Sequence, residues 1–161
     1  MDIIKELGEL AMATRLMRLS ERTRKDTTLI YKEHHLHFES KWFPVLYVLL
    51  KKGPLNVIEL ASEIGYTHPS VIALVKDMQK QKLVKSSASK SDGRKRMLSL
   101  TPKAQKMIDE FQPLWNDFRA INHIIYNSGS SLLKAIEDCE AALDKESFYS
   151  RYKALEEQRQ G

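Results

Sequence analysis

The segment Glu59–Val84, ELASEIGYTHPSVIALVKDMQKQKLV, constrains the fold of this 161-residue chain more than any other stretch. Ala61, Gly65 and Val71 fall at mutual offsets of four and six. That spacing suits two helices crossing closely: a small residue at the crossing, a glycine free to take φ > 0 in the turn, and a branched residue locking the second helix. The first helix opens at NVIE, where Asn56 and Glu59 have capping-box spacing, and runs through Ile64. Thr67 caps the second, Pro69 sits in its first turn, and Val71, Leu74, Val75 and Met78 form its buried stripe. His68, Ser70, Ile72, Ala73 and Lys76 are left facing outward. The segment reads as a helix-turn-helix, and the outward residues stand where base edges of a duplex would be met.

The next stretch, KSDGRKRMLSLT (residues 90–101), changes both period and charge. Leu83–Ser89 and Lys95–Leu100 have strand composition, Leu98 and Leu100 alternate inward, and Asp92-Gly93 is a dipeptide favoured in tight hairpin turns. A two-stranded ribbon directly after a recognition helix is the wing of a winged helix. Residues 67–106 hold ten Lys or Arg against two Asp, a net of +8, whereas the whole chain carries +5, so the remainder sums to −3. Such asymmetry is the footprint expected for a polyanion, and double-stranded DNA fits the helix-turn-helix beside it. Arg94 is expected at the minor groove, with Lys90, Lys95 and Arg96 at phosphates. Asp92, repelled by phosphate, would instead support the wing by orienting Arg94 or Arg96.

The rest of the chain reads as helix. Residues 3–32 carry apolar side chains at helical spacing, Leu7 and Leu10 among them, on a face broad enough to be buried on two sides. KWFPVLYVLL is a second helix capped by Ser40, ending at Lys51-Lys52-Gly53-Pro54. From the Thr101 cap, Ala104, Met107, Phe111, Leu114, Phe118, Ile121 and Ile125 follow a three-four spacing, with Ile108 and Trp115 widening the seam. Pro113 is expected to kink that helix. Leu132, Ile136, Cys139 and Leu143 repeat the pattern, and a short terminal helix follows a break near Asp144.

The order of these elements, the wing motif Asp92-x-Arg94 leading to Leu100-Thr101, and the stretches FESKWFPVLYVL and ELASEIGYTHPSV resemble the MarR family of winged-helix transcriptional regulators over essentially the whole chain. They are similar in particular to the MarR-like domains fused to GNAT-type acetyltransferases. The resemblance implies a mainly α fold with a small β-hairpin, one domain over 1–161, a winged core at about 40–101, and dimerisation helices at about 1–32 and 102–158. It implies a homodimer on a pseudo-palindromic operator, and the excess apolar surface independently favours a second copy. Leu7, Leu10, Phe111, Leu114, Phe118, Ile121 and Ile136 are the expected interface. It further implies a crevice for a small aromatic effector, with Trp42, Tyr47 and Trp115 as candidate lining. A regulatory or protein-docking module associated with an acetyltransferase is the alternative. Two positions depart from the family pattern: Ile72-Ala73 stands where many members carry Thr-Arg, and Lys82 where many carry glycine.

Other chemistries find little footing. Glu33, His34, His35, His37 and Glu39, with His123, have metal-ligand side chains but read equally as a polar loop, so no metal or cofactor is expected. The single Cys139 sits at apolar spacing, as a buried structural thiol would. No nucleophile elbow, phosphate-binding glycine loop or His-Glu metal motif occurs, which argues against an enzyme. No apolar run approaches the roughly 20 residues of a bilayer span, and a cytoplasmic, membrane-free protein is expected.

Overall fold

Each helix of the N-terminal part starts and stops for a local reason. In the computed structural model, which describes residues 2–89 and 95–160, the chain opens with a short helix α1 (Ile3–Glu6) capped by the Asp2 carboxylate, then a 3-10 turn (Gly8–Ala11) and the long helix α2 (Met12–Glu33). One continuous helix over 3–32 was expected; the interruption falls at Gly8, whose φ of 55° an α-helix does not use. Helix α2 ends in a Schellman cap: His35, in the left-handed region at φ 58°, donates to Lys32 O, and Leu36 donates to Tyr31 O.

A 3-10 turn (Ser40–Trp42) leads into α3 (Phe43–Lys52). Ser40 was expected to cap this helix, but its hydroxyl lies 2.7 Å from Thr27 Oγ1 and 2.9 Å from Thr28 Oγ1. It therefore fastens the turn to α2 and caps nothing. Tyr31, Phe38 and Phe111 form an aromatic triad with centroids 4.8–5.1 Å apart, and Trp42 meets Phe38 edge-on at 5.7 Å. Pairs of this geometry add roughly 0.5–1.5 kcal/mol each beyond area burial.

Helix α4 (Val57–Ile64) begins with the expected reciprocal capping box of Asn56 and Glu59, and α5 (His68–Lys80) with Thr67. The hairpin pairs β1 (Val84–Ala88) with β2 (Arg96–Leu100), Val84 opposite Leu100 and Ala88 opposite Arg96. Leu98 and Leu100 are buried, as their alternation predicts. A third contributor has no local signature: Leu55 exchanges both backbone hydrogen bonds with Leu98, at 3.1 and 2.8 Å, and so anchors the hairpin to the start of α4.

Helix α6 (Pro102–Tyr126) continues through Pro113, followed by α7 (Leu132–Lys145) and α8 (Phe148–Gln160). The chain divides into two compact units, Met1–Gln112 and Pro113–Gly161. The first contains the hydrophobic core centred on Leu46, Leu60, Val71, Met78, Leu83 and Phe111. In the second, the break between helices lies at Glu146–Ser147, just after the expected position, and the Arg151 guanidinium closes α7 by donating to Ala142 O and Glu146 O. No residue of α7 or α8 is buried. Cys139 is accordingly exposed in the single chain, where a buried thiol was expected.

Candidate nucleic-acid interface

The helix-turn-helix follows from three residues. Ala61 and Val71 are buried at the crossing, and Gly65 occupies the left-handed region (φ 73°, ψ 25°), donating its N–H to Ala61 O at 2.9 Å. That conformation carries the chain from α4 to α5 within three residues. Val71, Val75 and Met78 fix the inner face of α5 in the core. Thr67, His68, Pro69, Ser70, Ile72, Ala73 and Lys76 are all exposed, so the face expected to read a duplex is free in the single chain. Ile72 is 41% exposed, a large apolar side chain on an otherwise polar face. Ser70 Oγ lies 2.9 Å from Thr67 Oγ1, so base contact by either hydroxyl competes with that cap.

Lys82, at the end of α5, explains one departure in the sequence. It is left-handed (φ 59°); its N–H donates to Gln79 O and that of Leu83 to Met78 O, both at 2.9 Å. This is a Schellman cap with lysine at the glycine position. Thr101 supports it from the other side of the hairpin, donating its hydroxyl to Lys82 O at 2.7 Å while accepting from Ala104 N–H as the cap of α6. One threonine thus ties the end of α5 to the start of α6.

Charge on this surface is partly held in place. Lys41 Nζ sits 2.9 Å from Asp77 Oδ2 and 2.9 Å from Glu39 Oε2, joining the turn before α3 to α5. Hydrogen bonds to Glu39 and Asp77 raise the pKa of the ammonium, and the same ammonium lowers that of Asp77. On the hairpin Lys95 is exposed, and the Arg96 guanidinium is fastened to Ser86 Oγ and Ser86 O, each at 3.1 Å. Lys90, Asp92, Arg94 and the Asp92-Gly93 turn lie outside the described residues.

The remaining candidate residues separate. Trp42 is in the core, and its indole N–H has no acceptor among the described residues; Tyr47 is exposed, stacked on Phe43 at 5.4 Å with the Lys51 ammonium 5.5 Å from its ring centre; Trp115 is half-buried. The expected dimer seam also splits. Phe111, 0% exposed, and Leu114 are buried in the single chain. Leu7, Leu10, Ile121 and Ile136 remain exposed, with Phe118 half-buried. Among the described residues no group of three or more His, Cys, Asp or Glu is placed to hold a metal ion, and no helix is long and apolar enough to cross a membrane.

Comparison with known proteins agrees with this geometry. Residues 38–95 match the MarR family model. A MarR family transcriptional regulator from Silicibacter pomeroyi is 25% identical, with 81% of this chain and 83% of that one covered and a TM-score of 0.56. The transcriptional regulator BldR from Sulfolobus solfataricus is 16% identical, with 90% and 99% covered and a TM-score of 0.63. BpsR of Bordetella bronchiseptica, whose DNA binding is regulated by 6-hydroxynicotinic acid, is 16% identical, with 81% and 98% covered and a TM-score of 0.54. No curated protein matches in sequence. The chain thus has the winged-helix fold of MarR-family transcriptional regulators, and its sequence signature of that family lies in residues 38–95.

Proposed function

We propose that this protein is a homodimeric, sequence-specific DNA-binding regulator that acts by binding and not by catalysis. The observation that carries the reading is the outward face of α5, where His68, Ser70, Ile72, Ala73 and Lys76 stand exposed beside a hairpin carrying Lys95 and Arg96. An α-helix about 10–12 Å across fits the roughly 12 Å major groove, which brings those five side chains to base edges. Lys90 and Arg94 extend the basic hairpin in sequence, and Asp92 is the residue proposed to orient their neighbours.

The second copy is supported by apolar surface that one chain leaves open. Leu10 is 84% exposed, and Leu133, Phe148 and Tyr149 are each at least 65% exposed on helices that bury nothing. Exposure on this scale supports a role in association. The operator is then a pseudo-palindrome with half-sites about 10 base pairs apart, centre to centre. The effector is a small aromatic acid, a class supported by the 6-hydroxynicotinic acid response of BpsR and by the Phe43–Tyr47 stack with Lys51 over it. A ring with a carboxylate suits an aromatic platform beside a cation. The test is binding to double-stranded DNA across a salt series: a steep linear fall of log K with log salt supports the reading, and weak, salt-independent retention refutes it.

A further inference from the structure

Beside α5 runs a groove of about 670 Å³ with charged side chains in its lining, roomy enough for a sugar-phosphate strand where a single ordered water takes about 30 Å³. Its lining includes Arg24 of α2, Lys41, and Ser70, Ala73 and Asp77 of α5. Ser70 and Ala73 therefore belong to the groove and to the face assigned to the major groove. A helix that fills the major groove has a phosphate strand on each flank. The strand on this side must pass through the groove or collide with its rim.

The charges in the groove are unequal. Lys41 is held by Glu39 and Asp77, so that cluster of one cation and two carboxylates is net negative and unsuited to phosphate. Arg24 is different. Its guanidinium reaches Ser20 Oγ at 3.2 Å, and no carboxylate among the described residues pairs with it. An exposed arginine without an acidic partner keeps its planar fork of donors for a phosphate.

We infer that Arg24 of α2 grips a backbone phosphate of bound DNA in the groove beside α5, a contact lying outside both the reading helix and the hairpin. The inference rests on the DNA-binding reading above and adds a residue distant in sequence from the basic segment. The contact positions the duplex and reads no base, so it acts on all sequences alike.

The experiment compares wild type, Arg24→Ala, Arg24→Gln and Arg24→Lys, as full chains, on a selected operator duplex and a scrambled duplex of equal length over a salt series. Each phosphate contact contributes about 0.9 to the slope of log K against log salt, so Arg24→Ala lowers it by about 1.8 for a dimer on two half-sites. Both duplexes weaken by the same factor, and Arg24→Lys recovers most of the slope. Arg24→Gln, which keeps the stem and helix propensity, repeats the loss and separates it from any change in folding. Wild-type binding with a steep slope that Arg24→Ala and Arg24→Gln leave unchanged overturns the inference alone. Absence of salt-dependent binding by wild type overturns the DNA-binding reading on which it stands.

Discussion

Replacing Lys82 with glycine should stabilise the protein. Lys82 holds a left-handed conformation (φ 59°) that costs an L-residue with a Cβ about 1–2 kcal/mol. The conformation is imposed from several directions at once. Leu83 and Met78, on either side of the cap, are both fully buried, the two cap hydrogen bonds are 2.9 Å long, and Thr101 pins the Lys82 carbonyl. Glycine removes the steric cost but gives the unfolded chain more freedom, worth about 0.4–1 kcal/mol in the other direction. The balance is a gain of about 0.5–1 kcal/mol, or roughly 1–4 °C in Tm for a chain of this size. Thermal and urea unfolding of wild type, Lys82→Gly and Lys82→Ala at one protein concentration measure it, because self-association makes Tm concentration-dependent. Lys82→Ala loses the same ammonium but keeps the strain, so it should show none of the gain. A Lys82→Gly protein no more stable than Lys82→Ala would refute the reasoning.

Three further outcomes follow from named contacts. Thr101→Ala removes a cap of α6 and the donor to Lys82 O together, and should cost about 1–2 kcal/mol in urea unfolding, more than an ordinary exposed threonine. Leu10→Asp places a charge on a side chain that is already exposed in the single chain, so it should leave the protomer folded by circular dichroism while light scattering reports monomer in place of dimer; an unchanged dimer removes Leu10 from the interface. Asp77 has a pKa lowered by the hydrogen bond from Lys41, so its contribution to stability is present above the unfolded value and is lost as pH falls through the folded one. The stability difference between wild type and Asp77→Asn should therefore narrow below about pH 4, followed by unfolding at several pH values.

Local chemistry made most of the winged core legible. The Ala61-Gly65-Val71 spacing, the Asn56 and Thr67 caps and the alternation of Leu98 and Leu100 each act within a few residues, and each holds in the structure. Features set by distant neighbours were not visible. Lys82 and His35 adopt glycine-like conformations because buried side chains and cap hydrogen bonds around them dictate it; only the family's glycine at the Lys82 position hinted at the first, and nothing in the sequence at the second. Ser40 has the composition of a cap, but two threonines of α2 compete for its hydroxyl. Phe111 shares one apolar period with Ile121, yet only the fold shows that Phe111 is enclosed by Tyr31 and Phe38 while Ile121 stays open. Arg24 escaped notice for the same reason: its proximity to residues 66–77 is a tertiary fact with no local spacing to reveal it.

The central claim, that α5 reads sequence while the hairpin supplies charge, is tested most directly by the ratio of affinities for a selected operator and a scrambled duplex at matched salt. His68→Ala, Ser70→Ala and Ile72→Ala should lower that ratio by roughly 1–3 kcal/mol at a lost base-edge contact. Lys95→Ala should weaken both duplexes about equally and reduce the salt slope, leaving the ratio intact. Helix substitutions that leave the ratio at its wild-type value, or hairpin substitutions that abolish it, would contradict the assignment of roles to the two elements.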